Sequence, residues 1–439
     1  MTYGVLMTVS KENAKRVLSR RDFLKGVALG GALAAVANFT PHLTAGGQLI
    51  QAKVLSTTAA ELFKVRPNFE RFDPRYTAFS RSYWDKSSAA YGTMAKRATV
   101  RLERVRREVP GYSLRDHALS RAMSLVPGFG KMNRGFYSWD PLRPVDKLDK
   151  YKVDPAKATK TVKRAAKYLG ADLVGICLLD RRWVYSHTRA GKPIVFEDVE
   201  RWYETEQKLV IPESHRYVVV LATRMSEDLM RYAPLLLEDA EVRHGYDKMQ
   251  LVAGRVAEFI RQLGYHAIPM GNDTALSVPL AIDAGIGQYG RITRLVTPEY
   301  GPLVRLAKVF TDLPMTTDKP IDFGLTEFCN ACMKCVDACP VQALPRGPPA
   351  WEGPTKSNLK RVLKWQQNPI SCLTWWAKVG TGCAICFRVC PWSKGIMRTS
   401  TLARSAVQGA PALNSIWRTV DDALGYGALR DPEEFWREE

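Results

Sequence analysis

Eight of the nine cysteines in this chain fall into two runs, and no other feature narrows its fold as much. The first run, "TEFCNACMKCVDACPVQALP" at residues 326–345, spaces its cysteines C-x₂-C-x₂-C-x₃-C-P. That is a ligand set for a [4Fe–4S] cluster, and in two-cluster ferredoxins its fourth cysteine serves the other cluster. The second run, "SCLTWWAKVGTGCAICFRVCPWSK", supplies Cys372, Cys383, Cys386 and Cys390, with ten residues in its first gap and a proline after its last cysteine. Crossed ligation then predicts Cys329, Cys332, Cys335 and Cys390 on one cluster and Cys339, Cys372, Cys383 and Cys386 on the other. Zinc is the alternative for C-x₂-C pairs. Two C-x₂-C…C-P runs without an intervening histidine favour iron–sulfur. The ninth cysteine, Cys177, lies in the apolar run "ADLVGICLL" and reads as a small buried hydrophobe.

A chain of 439 residues with 46% hydrophobic and 25% charged residues is globular and long enough for two or three domains. Its net charge of +20 raises the question of nucleic acid, but the basic residues are dispersed. Two clusters of about −2 each would offset part of the excess, and no nucleic-acid motif is present, so no nucleic-acid partner is expected. More of the charge sits near the start, in "SRRDFLKGVALGGALAAVANF". Paired arginines before a short apolar segment read as a twin-arginine export signal. The apolar part is shorter than the ~20 residues a membrane span needs. The expectation is a signal over residues 1–45 and a mature protein at the outer face of the cytoplasmic membrane, held there by a partner.

Residues 46–153 are basic, aromatic and irregular, with one helix-like stretch, "SAAYGTMAKRATVRLERVRREV". The pattern sharpens from 154: Asp154 and Pro155 mark an N-cap and first helical position, "AKATKTVKRAAKYL" a helix, and Gly170 its end. Strands are predicted at "ADLVGICLL", "YVVVLATRM", "YHAIPM" and "RLAKVFTDL", and a long helix over Asp239–Leu263. Alternating strands and helices argue an α/β core over 154–322. A ferredoxin-like two-cluster domain follows over 323–395, then a helical tail over 396–439. No G-x-G-x-x-G opens a strand-to-helix turn, so a Rossmann site is unsupported. The Gly-rich "DAGIGQYGR" reads equally well as a turn between helix and strand.

Taken together, these features resemble the corrinoid-dependent respiratory reductive dehalogenases. The resemblance is carried by "RRDFLKG", "GADLVGI", "LGYHAIPMGNDTALSVPLAIDAGIGQYGR", "GPLVRLAKVFTDLP" and the two cysteine runs, and covers most of residues 155–395. It implies a nitroreductase-like core of the α/β (α+β) class, holding a base-off corrinoid without a lower histidine ligand, fed by the two [4Fe–4S] clusters. It further implies a small organohalide substrate, a membrane electron donor and a small integral membrane anchor protein. A homodimer is compatible with the sequence.

The same resemblance makes Tyr246 in "HGYDKM" the proton donor, with Asn272 in "GNDTALS" and Arg305 in "GPLVR" as its polar neighbours. A phenol keeps its proton at neutral pH, and an adjacent cation makes the phenolate left after donation less costly. Without the resemblance, Tyr246 would extend an apolar stripe, Arg305 would be an ion-pair partner, and Asn272 would cap a helix beginning near Thr274. Trp376 matches a wall of the substrate cavity, although Trp375 and Trp376 would equally shield a cluster. Thr274, Ser277, Gly287, Gly290 and Arg291 are the candidate corrinoid contacts. One departure is "ITRLVT" after "GR", where the family carries "NGLLIT". Two rivals remain open: an epoxyqueuosine reductase, which the export signal disfavours, and an exported ferredoxin-type electron carrier.

Overall fold

The computed structural model describes residues 52–123, 135–146, 148–394 and 414–437, with scattered positions beside them. The twin-arginine stretch lies outside the described residues. Among those described, no helix is long and apolar enough to cross a membrane.

The centre of the fold is a four-stranded sheet: β1 (Leu173–Leu178), β2 (Tyr217–Arg224), β3 (Ala267–Met270) and β4 (Val304–Thr311), in the order β1-β2-β4-β3. All three pairings are antiparallel, so the core takes the α+β form of the expected class rather than a parallel α/β sheet. Along β2, Val218, Val220 and Ala222 enter one apolar cluster and Val219 and Leu221 the other. A strand buried on both sides reads as a continuous hydrophobic run, and "YVVVLA" does.

Helices cover both faces. In the N-terminal region lie α1 (Ala78–Trp84), α2 (Thr93–Arg106) and α3 (Leu114–Ala122). One sheet face is covered by α4 (Pro155–Tyr168) and α5 (Leu236–Gln262), the other by α6 (Ser277–Asp283). The start of α4 is as expected: the Asp154 side chain accepts from Lys157 N at 2.9 Å, and Gly170 follows the helix end at φ +112°. The long helix α5 begins one turn earlier than Asp239. Glu238 and Asp239 therefore sit in its first turn, where carboxylates are favoured by the helix dipole. "GADLVGI" owes a glycine to packing. A Cβ on Gly175 would stand 2.0 Å from the Ala284 carbonyl oxygen at the end of α6.

The cysteine runs form short helices: α7 (Leu325–Cys332), α8 (Lys334–Asp337), α9 (Pro369–Val379) and α10 (Ile385–Val389). The described part of the tail folds back onto them. In α11 (Asn414–Ala423), Asp421 is shared by the buried ammonium groups of Lys334 and Lys394, and Arg418 donates to the Cys332 carbonyl at 2.9 Å. The N-terminal region, least legible as sequence, packs on α9. Arg101 donates to the Gly380 carbonyl at 2.9 Å and Arg104 to that of Lys378 at 3.0 Å.

Candidate active site and cluster sites

The side chains of Tyr246, Asn272 and Arg305 meet, although they come from α5, the loop after β3 and strand β4. The Tyr246 hydroxyl accepts from Asn272 Nδ2 at 3.0 Å and from Arg305 Nη1 at 3.4 Å. The Arg305 guanidinium also lies 4.3 Å from the centre of the Tyr246 ring. Two glycines allow this approach. A Cβ on Gly245 would stand 3.1 Å from Arg305 Cγ, and one on Gly271 would stand 2.4 Å from the Tyr137 hydroxyl. A hydroxyl has two acceptor lone pairs and one proton. Both N–H donors therefore engage the acceptor side of the Tyr246 oxygen.

Asn272 does not cap a helix. α6 starts at Ser277 behind Leu276, and Thr274 before it is in the left-handed region at φ +62°. The loop is held instead by Lys308, a fully buried lysine of β4 whose ammonium donates to the Gly271 carbonyl and, at 3.0 Å, to Ser277 Oγ. Burial lowers this ammonium to about 8. Thr274, also buried, donates from its hydroxyl to Asp273 at 3.1 Å and accepts from Tyr185 N at 2.8 Å.

The "DAGIGQYGR" stretch is the turn between helix and strand, one of its two readings: α6 ends at Asp283 and a strand begins at Gln288. Gly287 and Gly290 flank the strand Gln288–Tyr289, which pairs with Leu295–Val296, and a Cβ on Gly287 would meet the Val296 carbonyl oxygen at 2.2 Å. Arg291 turns toward the first cysteine run. It donates to the carbonyls of Cys329 (3.0 Å), Pro345 (2.9 Å) and Gly347 (2.9 Å) and to the Asn330 side chain (2.9 Å). With its fork of donors so engaged, Arg291 is corrected from a corrinoid contact to a bracket between the core and the cluster domain.

One of the two cysteine sets lines a common space. Cys329, Cys332, Cys335 and Cys390 line one cavity, together with Phe328 and Trp392. Burial pushes the Cys329 and Cys335 thiols well up, and the charge of Cys390 adds to both. Burial likewise raises Cys372, and Cys386 to about 12, with Cys339 adding to each. Thiolates this costly to expose in a dry interior suit a cationic iron core that deprotonates them outright. The loops are bent to present them: Met333, Cys383 and Ala384 sit at φ +53°, +66° and +44°. Such non-glycine strain persists where the surroundings enforce it.

A third group of residues was not foreseen. Arg97 and Arg101 of α2 and Arg243 of α5 all pair with Asp239, which also accepts from Ser120 at 2.8 Å. Burial alone would raise the Asp239 carboxyl, but the three arginines outweigh it and hold it down to about 2. Arg97 also lies 5.2 Å over the Trp376 ring, against which Phe79 packs edge-on at 5.3 Å. Asp239 precedes Tyr246 by two helical turns, so one helix face links the Trp376 wall to the phenol. Nothing local announces this group, because Arg97 and Asp239 are 142 positions apart.

Asp239→Asn is expected to cost about 3–5 kcal/mol of unfolding free energy at neutral pH, because it leaves buried guanidinium groups uncompensated. The Asp239 carboxyl is depressed in the fold. Its stabilisation is therefore present above about pH 4, its ordinary range, and is lost as the pH falls toward about 2. Thermal denaturation across pH checks both statements, since the Asn variant should lose that part of the acid dependence.

Residues 174–315 match the family described as reductive dehalogenase subunit, and residues 328–393 the 4Fe-4S double cluster binding domain. The tetrachloroethene reductive dehalogenase of Sulfurospirillum multivorans is 34% identical over 97% of this chain and 94% of its own. This chain belongs to the reductive dehalogenase family. The corresponding enzyme of Dehalobacter restrictus is 34% identical over 68% of this chain and 60% of its own. The solved structure of the catabolic reductive dehalogenase NpRdhA shares the fold at a TM-score of 0.61 and 24% identity, covering 86% of this chain and 49% of that one. This family member thus spans about half the length of that solved structure. The epoxyqueuosine reductase of Lactococcus garvieae matches 34% of this chain, a distant relation. The cluster-domain match covers all eight cysteines of the two runs, and a solved reductive dehalogenase structure titled for B12-dependent dehalogenation shares the fold at a TM-score of 0.61 and 24% identity.

The chain fits a corrinoid on its own evidence. Tyr137 Oη, Thr223 Oγ1 and Arg305 Nε are buried without a hydrogen-bond partner. Tyr137 lies beneath Gly271, and Thr223 is opposite Arg305 in the strand register. Buried polar groups need partners, and the amides on the rim of a corrinoid supply both donors and acceptors.

Proposed function

We propose that this protein removes a halogen from a small halogenated hydrocarbon by two-electron reduction. The chain is similar to relatives named for tetrachloroethene, trichloroethene and chloroethene, and a chlorinated ethene is the first substrate to test. The observation that carries the reading is the Tyr246 hydroxyl accepting from both Asn272 and Arg305. When bound, the clusters would pass electrons inward and the corrinoid would supply the reducing metal chemistry at the carbon–halogen bond. The protein residues do the rest. Tyr246 holds the proton that ends on carbon. Arg305 and Asn272 orient the phenol and stabilise the phenolate left behind. Trp376, with Phe79 and Arg97 against it, offers an apolar wall suited to a substrate with almost no hydrogen-bonding capacity.

Cys329, Cys332, Cys335 and Cys390 hold one cluster in this reading, and Cys339, Cys372, Cys383 and Cys386 the other. Lys334, Lys394, Arg418 and Arg291 surround the first with positive charge that offsets its own. Arg20 and Arg21 ahead of a short apolar segment support export by the twin-arginine route. The enzyme would then work at the outer face of the cytoplasmic membrane, on a small integral anchor protein that also lies near its electron donor.

The test is chloride release from tetrachloroethene with reduced methyl viologen, alongside iron and cobalt analysis of anaerobically purified protein. Cofactor-replete protein that releases no halide from chlorinated ethenes or halogenated phenols would remove the assignment. Iron without cobalt after reconstitution would favour an electron carrier.

A further inference from the structure

Strand β4 carries a cation on each of its faces. Arg305 lies on the face of Ala307 and Val309, packed under α5, and reaches Tyr246 directly. Three positions on, Lys308 lies by strand alternation on the face of Leu306 and Phe310, in the cluster that includes Leu280 and Ile282 of α6. Its side chain is 0% exposed, and the ammonium donates to the Gly271 carbonyl and, at 3.0 Å, to Ser277 Oγ. Those acceptors stand at the two ends of the loop between β3 and α6, so one side chain closes the loop at its base. The Gly271 carbonyl belongs to the peptide that joins Gly271 to Asn272. A planar peptide held at its oxygen sets the direction in which Asn272 departs. The rest of the hold comes from inside the loop, where the Asp273 carboxylate accepts from Gly271 N at 2.9 Å and from Thr274 Oγ1 at 3.1 Å. Asp273 is also the charge that acts on Lys308. The loop has strain to contain. Thr274 is at φ +62°, and a non-glycine residue stays in that region only where its surroundings over-determine it. Burying an ammonium is costly, and a methionine of similar volume would fill this place without that cost. What the charge holds is the reason for having it there.

We propose that Lys308 is a positioning residue for the proton donor: by clasping Gly271 to Ser277, its ammonium sets the reach from Asn272 Nδ2 to the Tyr246 hydroxyl. One strand then places both N–H donors of the phenol, Arg305 directly and Asn272 through Lys308. The inference deepens the reading of Tyr246 as the proton donor of a dehalogenase and rests on it.

The experiment uses the cofactor-loaded protein and Lys308→Met, which keeps the bulk of the side chain and removes its donors. Turnover should fall about 10- to 100-fold with KM within about twofold of wild type, the order of loss expected when a reacting group is displaced by up to ~1 Å. Iron and cobalt content should be unchanged, and amide hydrogen exchange over residues 271–277 should quicken. A double-variant cycle separates positioning from a general loss of structure. If Lys308 acts through Asn272, Lys308→Met should cost less than about twofold once Asn272 is already alanine. Lys308→Gln returns an N–H donor to the loop and should recover part of the turnover, and it carries the same cycle if the Met variant fails to fold. An equal fold loss in both backgrounds, or wild-type turnover and exchange in Lys308→Met, overturns the proposal. Because exchange needs no turnover, quickened exchange over 271–277 in a protein that releases no halide would sink the dehalogenase reading and leave the clasp standing.

Discussion

Tyr246→Phe is expected to lower turnover by about 10²–10⁴-fold, the range lost when a positioned general acid is removed. Iron and cobalt content, and the spectra of both, should be unchanged, because Tyr246 is not among the cluster ligands and phenylalanine keeps the ring. The stacking of Arg305 on that ring at 4.3 Å should survive as well. The arrangement makes a second statement. If Arg305 and Asn272 act through the Tyr246 oxygen, then adding Asn272→Ala to Tyr246→Phe should cost little beyond the single change. Residues that work as a unit are non-additive in this way. Steady-state rates for the two single variants and the double variant decide it. A Phe variant that dehalogenates at the wild-type rate would remove Tyr246 as donor. Independent losses that multiply would separate Asn272 from it.

Crossed ligation gives the other large expected effect. Cys390→Ala should abolish the same cluster signal as Cys332→Ala, and Cys339→Ala the same signal as Cys383→Ala. Each change should cut the iron content from about eight to about four per chain. The structural ground is the cavity shared by Cys390 with the first three cysteines of the other run. Electron paramagnetic resonance of the reduced protein, with iron analysis, distinguishes the pairs. If Cys390→Ala instead silenced the signal lost in Cys383→Ala, each run would hold its own cluster. Electron transfer into the active site should fail in all four variants, so the spectra carry this test.

The parts of this protein legible in the sequence share one property: their signals are local. Asp154, Pro155 and Gly170 bound a helix because capping is settled within a turn. The runs around Val219 and Val309 read as strands because both their faces are apolar. The start of α5 was misplaced by a turn for a related reason. Leu235 offers no side-chain cap, so nothing local marks the boundary. Arg291 was misassigned because a glycine-rich stretch looks the same whether it approaches a ligand or packs a hairpin. Only the Val296 carbonyl, 2.2 Å from where a Gly287 Cβ would be, separates the two.

By itself, the sequence pointed to two clusters and to eight candidate thiol ligands, since short spacings between ligands are enforced by the covalent chain. It also determined, through resemblance, which tyrosine, asparagine and arginine to examine. Only the tertiary structure decided that they touch. Asn272 lies 26 positions from Tyr246 and Arg305 lies 59, and their meeting depends on the phase of α5 over the antiparallel register of β4. The same holds for Arg97 and Arg101, which reach Asp239 only once α2 is laid against α5. Covalent spacing governs what a loop can ligate. Packing across the chain governs which charges are buried together.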